Sequence, residues 1–395
     1  MMRTRLAQRR GMSQRDPPIE GVTESEICVT FGEVSTQRRT SSFCGIVPPH
    51  ILEHLRAHAG DPAVRAAAAR SLALDVRHRA RRQLPSGPGR FLAEPPSAGP
   101  RRTVSDDART EDLPGRTVRT EGAPPVADPT VDRAYDGLGA TFDFYLAAYG
   151  RHSIDDRGLP LDATVHYGQK YDNAFWNGSR MIFGDGDGVL FNDFTVSVDV
   201  IGHELTHGVT QYSANLDYAG QSGALNESVS DVFGSLVKQY ALGQTADRAD
   251  WLIGAGLLAP GVHGVALRSM KAPGTAYDDP DLGTDPQPAT MAGYVEGTAD
   301  NGGVHLNSGI PNHAFYLAAT AIGGHAWERA GQIWYDVLTG GRLAGSADFA
   351  AFATATVAAA EARYGAGAEA GAVREAWNQV GVTNEAGVTA AIGDY

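Results

Sequence analysis

The clearest chemistry in this chain is His203-Glu204-Leu205-Thr206-His207, set in an apolar run that begins at Val198 and ends at Val209. On a helix, residues four apart share a face, so both imidazoles can reach one metal ion while Glu204 projects beside them. Two histidines need a third protein ligand and an open fourth position for water. A second helix-like segment, Asn226-Glu227-Ser228-Val229-Ser230-Asp231-Val232-Phe233, offers it. Glu227 and Asp231 share a face, and Val232, Phe233, Leu236 and Val237 form an apolar stripe. Glu227 can therefore be the third ligand. Asp231 is placed to accept a hydrogen bond from the other nitrogen of a ligating histidine, which fixes its tautomer and raises its basicity. This is the pattern of a zinc hydrolase; the bland alternative is two amphipathic helices carrying chance polar residues.

The segments Gly202 to His207 and Gly223 to Asp231 resemble the paired zinc helices of the thermolysin-like gluzincin metalloendopeptidases. Three further blocks follow the family's order: Asn173 to Gly178 with Gly184-Asp185-Gly186-Asp187-Gly188, then Leu267-Arg268-Ser269-Met270, then Asp300-Asn301-Gly302-Gly303-Val304-His305. The likeness runs from about residue 101 to the C-terminus, and within it to the protealysin-like subgroup with a short pro-segment. It implies one Zn2+ per chain, held by His203, His207 and Glu227, with a water whose pKa the metal lowers. It also implies Glu204 as general base, Tyr218 and His305 as hydrogen-bond donors to the oxyanion, and Asp300 as the residue orienting His305.

Substrate contacts come from the same resemblance. Asn173 and the Ala174 backbone match an edge that pairs with an extended substrate, and Arg268 matches a residue that grips a substrate carbonyl. Phe191, Phe194, Val200, Ile253, Leu257 and Leu267 match the walls of an apolar pocket, which implies preference for a bulky hydrophobic residue just after the scissile bond. Singly, each of the six reads as core packing. The implied function is a zinc-dependent neutral endopeptidase acting on proteins or peptides. A zinc aminopeptidase would need acidic residues to hold a free amine, and no such motif precedes His203. A catalytically inactive binding protein would typically have lost Glu204, Tyr218 or His305, and all three are present.

One departure from the family is informative. Of the positions matching acidic calcium ligands, only Asp199 and Asp250 are acidic here; Lys238, Leu252, Ala255 and Val265 fill the others. A lysine is prohibitive in a divalent-cation cage and can instead pair with Asp199, so calcium is not expected at these sites. Gly184 to Gly188 alternates Gly with Asp, which read alone suggests a calcium loop, but it lacks the ligand spacing of one, and the resemblance implies a tight turn there.

The elements that must position these residues follow from pattern. Residues 101–198 contain β-type runs such as Ala163 to Tyr167 and Arg180 to Phe183, with one helix near Val131 to Tyr149. Residues 199–395 read as mainly helical, with helices over 311–323, 325–340, 347–363 and 368–380. The expected fold is thus α+β and two-lobed, thermolysin-like, with the site between the lobes on the helix that joins them.

Ahead of this lies a different kind of sequence. Residues 1–100 carry 15 Arg against 9 acidic residues, whereas the rest carries 18 basic and 37 acidic residues, so a basic front piece faces an acidic body. That asymmetry either keeps each part solvated or serves intramolecular docking. The arginines come without an aromatic platform, which argues against nucleic acid. Both cysteines, Cys28 and Cys44, lie in this piece, so the catalytic part has no disulfide. Cys44 to Leu55, with Pro48-Pro49, resembles the short pro-segment of the protealysin-like subgroup, implying that residues 44–100 are an intramolecular inhibitor. Asp61 to Leu84 reads as a helix, and Pro85 to Gly89 with Pro95 to Pro100 as a cleavable linker. Cys44, or else Cys28, is either a thiolate ligand to the zinc of the precursor or a small buried thiol beside a Pro-Pro turn. Residues 1–43 read as disordered. No apolar run of about 18 residues suggests a membrane span. Secretion follows from the resemblance, yet no Sec signal is recognisable, which leaves a cytoplasmic precursor or another export route open. A monomer is expected.

Overall fold

Short β-branched and aromatic runs after residue 100 build one mixed sheet in the computed structural model, which describes residues 44–83 and 99–382. Its strands are β1 (Arg102–Asp106), β2 (Arg116–Thr120), β3 (Leu161–Val165), β4 (Ala174–Trp176) and β5 (Met181–Phe183), in the order β2-β1-β3-β5-β4. The β1, β3 and β5 strands run parallel, and β2 and β4 pair antiparallel at the two edges. Helix α3 (Pro129–Tyr149) sits between β2 and β3 in sequence. It starts where Asp128 accepts from the Thr130 amide and Pro129 presets the first turn, and it ends at left-handed Gly150.

The Gly184 to Gly188 segment, expected from the resemblance to be a tight turn, is an irregular stretch following β5. A Cβ at Gly184 would lie 1.9 Å from the Tyr171 carbonyl oxygen, so only glycine lets the chain pass there. From the sheet the chain enters α4 (Val198–Gln211), which connects to α5 (Gly220–Leu242). The two helices cross at Gly202 and Gly234; a Cβ on Gly234 would sit 2.5 Å from the Asp199 carbonyl and 2.9 Å from the His203 nitrogen. Close approach of backbones is what brings residues of both helices to one point.

Five α-helices complete the second half: α6 (Asp300–Asn307) leads into α7 (Gly309–Ile322), and α8 (Ala330–Thr339), α9 (Phe349–Tyr364) and α10 (Ala368–Gln379) follow. The last four fall within a few residues of the expected spans, and α6 is an addition to them. The segment between α5 and α6, within a half expected to be mainly helical, forms two small two-stranded pairings, Leu252–Ile253 with Arg268–Ser269 and Asp278–Asp279 with Gly283–Thr284. Two-residue strands carry too little periodicity to be read from pattern.

Residues 44–83 pack onto this body. Helix α1 (Pro49–His58) buries Ile51, Leu52 and Leu55, and the longer helix α2 (Pro62–Gln83) follows. On the longer helix Leu74 joins Tyr167, Tyr171, Phe175 and Ile182 in a small apolar cluster. Ser71 Oγ accepts from the Asp172 amide at 2.9 Å, and Asp75 accepts from Tyr171 Oη at 2.6 Å and Asn173 Nδ2 at 3.1 Å. Burial pushes the Asp75 carboxyl up to about 6. The expected disordered stretch 1–43, Cys28, and nearly all of the linker lie outside the described residues. Among the described residues no helix is long and apolar enough to cross a membrane.

Candidate active site

His203 and Glu204 are fully buried on α4, and one turn later His207 brings its Nε2 to 3.1 Å from that of His203. Glu227 on α5 faces both: its carboxylate oxygens lie 3.6 Å from each Nε2. Cys44 completes the group, so that single donor atoms of Cys44, His203, His207 and Glu227 all lie within 4.8 Å of one another. Nitrogen, sulfur and carboxylate donors converging at this spacing are the donor set of a zinc ion.

The rear nitrogens are held. His203 Nδ1 is 2.8 Å from Asp231 Oδ1, and His207 Nδ1 is 2.8 Å from Asn226 Oδ1 and 3.1 Å from Ser230 Oγ. With the rear nitrogens so engaged, the Nε2 lone pairs point at the shared space. Burial lowers the His207 pKa to about 4, which keeps it as the neutral, ligating imidazole. Burial alone would push Glu227 up, but His305, His207 and His203 around it hold its carboxyl at about 2.

Glu204 is fixed from the sheet side: Trp176 on β4 donates its backbone N–H to Glu204 Oε2 at 2.9 Å. Across the site, Tyr218 donates its hydroxyl to Glu227 Oε1 and lies 3.3 Å from His305 Nε2. Asp300 clasps His305 twice, at 2.7 Å from Nδ1 and by accepting the backbone N–H at 2.9 Å. Burial opposes charge on His305, yet Asp300 and Glu227 push its pKa up. Asp300 to Gly303 all have positive φ, a conformation that lets this short loop double back on His305.

Residues 44–47 run through the site. The Cys44 thiol donates to Glu227 Oε1 at 2.8 Å and lies 3.4 Å from His305 Nε2. Burial first, then the charges of Glu227 and Glu204, raise its pKa well above the ordinary thiol value. Ile46 donates its N–H to the Ala174 carbonyl at 3.0 Å, Val47 donates to Asn173 Oδ1 at 2.9 Å, and Arg268 Nη1 donates to the Ile46 carbonyl at 3.0 Å. Phe191, Phe194, Val200, Ile253, Leu257 and Leu267 are buried in the same apolar cluster as Ile46.

Of the residues singled out for the metal and its chemistry, all those described are brought to one place, and Cys28 lies outside the described residues. Sequence reading missed Asn226, Asn312, the Trp176 amide and the Asp75 side chain. Asn226 adjoins Glu227 and could have been found from the motif; Asn312, which donates to Asp231 Oδ2 at 2.8 Å from 81 residues away, carries no local signal. At the matched calcium positions, Lys238 Nζ lies 2.7 Å from Asp199 and 2.9 Å from Asp250.

Comparison with known proteins places these features in a family. The family model described as thermolysin metallopeptidase, catalytic domain, matches residues 117–211, and that described as its alpha-helical domain matches residues 214–382. An extracellular metalloprotease of Pectobacterium carotovorum subsp. carotovorum is 52% identical over 353 residues, covering 87% of this chain and 98% of that protein. Protease PrtS of a Photorhabdus strain is 52% identical over 283 residues, or 71% of this chain and 76% of its own length. The solved precursor of protealysin, a metalloproteinase from Serratia proteamaculans, is similar with a TM-score of 0.79 and 53% identity, covering 86% of this chain and all of that one.

Proposed function

The chain belongs to the thermolysin family of metallopeptidases, and on that premise we propose that it is a zinc-dependent neutral endopeptidase made as a self-inhibited precursor. The observation that carries this reading is the convergence of His203, His207 and Glu227 within 4.8 Å, with Glu204 one residue along the same helix. Zinc bound there would supply Lewis-acid polarisation and a more acidic water. Glu204, held by the Trp176 amide, takes a proton from that water as its oxygen attacks the peptide carbonyl, then passes it to the leaving amine. Tyr218 and His305 donate to the oxyanion, with Asp300 setting the His305 tautomer. Arg268 and the Asn173 to Ala174 edge hold the substrate main chain. The apolar walls favour a bulky hydrophobic residue after the scissile bond.

Residues 44–100 are the inhibitory pro-segment in this reading, residues 101–198 and 199–395 the two catalytic lobes. Cys44, whose sulfur lies among the same donor atoms, would be a fourth residue holding the zinc in the precursor, as a thiolate in place of water. The names of the relatives support secretion. Lys238 between Asp199 and Asp250 supports the absence of calcium there.

Casein hydrolysis by the processed chain, with and without a zinc chelator, is compared with that of Glu204→Ala. Activity should vanish with chelator and with the substitution; activity surviving Glu204→Ala overturns the mechanism. Zinc-edge absorption spectroscopy of the precursor should show one sulfur in the metal shell, and a shell of nitrogen and oxygen alone removes Cys44 from it.

A further inference from the structure

A segment can block a cleft in any register, but residues 44–47 are fixed in a single one. The Cys44 sulfur lies among the metal-ligand atoms, and the carbonyl oxygen nearest it along the chain is that of Gly45, 3.7 Å away. From that carbonyl onward each main-chain group meets the substrate edge in turn. Ile46 N–H goes to the Ala174 carbonyl, the Ile46 carbonyl takes Arg268, and Val47 exchanges two hydrogen bonds with the Asn173 amide, at 2.9 and 3.3 Å. One of these bonds is main chain to main chain, at the edge strand β4, and the other three come from the side chains of Asn173 and Arg268. The segment is thus gripped as an extended peptide is gripped, without becoming a strand itself. It stops at Pro48 and Pro49, which have no N–H to offer and turn the chain into a helix.

The side chains agree with that register. A Cβ on Gly45 would lie 2.5 Å from Asn173 Nδ2, so the residue before the paired dipeptide passes only because it has none. Ile46 is 0% exposed and shares the apolar cluster of Phe191, Phe194, Val200, Ile253, Leu257 and Leu267. Apolar burial and four hydrogen bonds to the segment's main chain therefore select the same alignment.

We infer that Gly45-Ile46-Val47 is docked as a substrate, with the Gly45–Ile46 peptide bond at the scissile position and Ile46 in the pocket that sets specificity, and that the Cys44 thiol is what keeps this bond intact. The inference rests on the peptidase reading above. Cleavage there would add the oxygen of water to the Gly45 carbonyl carbon and break the bond to the Ile46 nitrogen. Glu204 would carry the proton from the water to that nitrogen, leaving a Gly45 carboxylate and an Ile46 amine. The sulfur stands where the water must stand, so the bond is presented and spared. The same register gives the enzyme's preference: an aliphatic residue of isoleucine size after the scissile bond.

The test is the zinc-loaded full-length chain carrying Cys44→Ala, analysed by intact mass and N-terminal sequencing. It should convert to a species beginning at Ile46, whereas Cys44→Ala combined with Glu204→Gln should stay whole. A Cys44→Ala chain uncut at Gly45–Ile46, from a preparation whose processed form hydrolyses casein, overturns the inference and leaves the peptidase reading standing. Loss of casein hydrolysis as well places the failure in that reading. Because Cys44→Ala also alters docking, a synthetic peptide of residues 41–58 with the same substitution is offered to the processed enzyme. Cleavage between Gly45 and Ile46 is expected, and cleavage only elsewhere overturns the inference. In calorimetry with processed Glu204→Gln enzyme, Ile46→Gly should weaken binding of that peptide at least tenfold; unchanged affinity takes Ile46 out of the pocket.

Discussion

Arg268 and Asp231 meet through two hydrogen bonds of 2.8 Å each, and the same carboxylate stands 2.8 Å behind His203. The residue proposed to grip a substrate carbonyl and a residue proposed to bind metal thus share one anion, buried with no exposure. Arg268, first by its charge, together with His203, holds the Asp231 carboxyl far below the ordinary carboxylate range against the opposing effect of burial.

Replacing Asp231 by Ala should therefore act at two sites at once. It leaves the Arg268 guanidinium buried and unpaired, a change that typically costs about 3–5 kcal/mol. It also removes the partner of a metal ligand, worth about 10–100-fold in metal affinity. Thermal melts and competition with a zinc chelator measure the two separately; a variant with unaltered zinc retention would detach Asp231 from the metal site.

Tyr218→Phe removes one donor to the oxyanion and leaves the ligand set intact. We expect kcat to fall about 10²–10³-fold with KM little changed. A rise in KM at constant kcat would make Tyr218 a substrate-binding group instead.

His166 is clamped between Asp185 Oδ1 at 2.6 Å and Asp128 Oδ2 at 2.9 Å, joining the sheet to the start of α3. The Asp185 hydrogen bond first, and then the one to Asp128, outweigh partial burial and raise its pKa to about 9. Since the folded value lies above the unfolded one of about 6.5, the contribution is complete below pH 6.5 and fades as pH rises through 9. Denaturant melts of the native chain and His166→Gln should differ most at pH 6 and converge near pH 10; a constant gap would show that charge is not what the clamp uses.

Lys238 neutralises buried Asp199 and reaches Asp250 on the other side. Lys238→Ala strands a buried carboxylate, with an expected loss of about 3–5 kcal/mol. Melting of the native chain should not respond to calcium or to a calcium-selective chelator, and a calcium-dependent rise in Tm would return a cation to this place.

Gly234→Ala tests the helix crossing. The added methyl meets backbone at 2.5 Å on Asp199 and 2.9 Å on His203, atoms that cannot swing aside as a side chain can. Overpacking of this kind costs about 1–3 kcal/mol, and here it also moves α4 relative to α5. Zinc content after dialysis should drop with stability; full retention would mean the crossing has slack.

How far these relationships can be read before folding depends on how local they are. The convergence of His203 and His207, with Glu204 between them and Glu227 on the next helix, was legible because helical periodicity sets which side chains face together. Lys238 was legible as a break in an acidic pattern, and α3 and α7 to α10 as long amphipathic runs. The two small strand pairings were not, because strands of two residues have no period. Asn312 and Asp75 were not, because each reaches a partner at least 80 residues away by a route that only packing creates.

The sequence by itself determined which residues carry the proposed chemistry: two histidines and two glutamates at spacings that helices convert into facing side chains, in blocks ordered as in a known family. The tertiary structure alone decided where the front piece goes. Cys44 and Glu227 are 183 residues apart in sequence, and nothing in either neighbourhood specifies a 2.8 Å contact. Beside that contact Ile46 is buried in the main apolar cluster with Phe191 and Phe194, and Val47 bonds the Asn173 side chain, partners that lie more than 100 residues further along the chain and meet these residues only through packing.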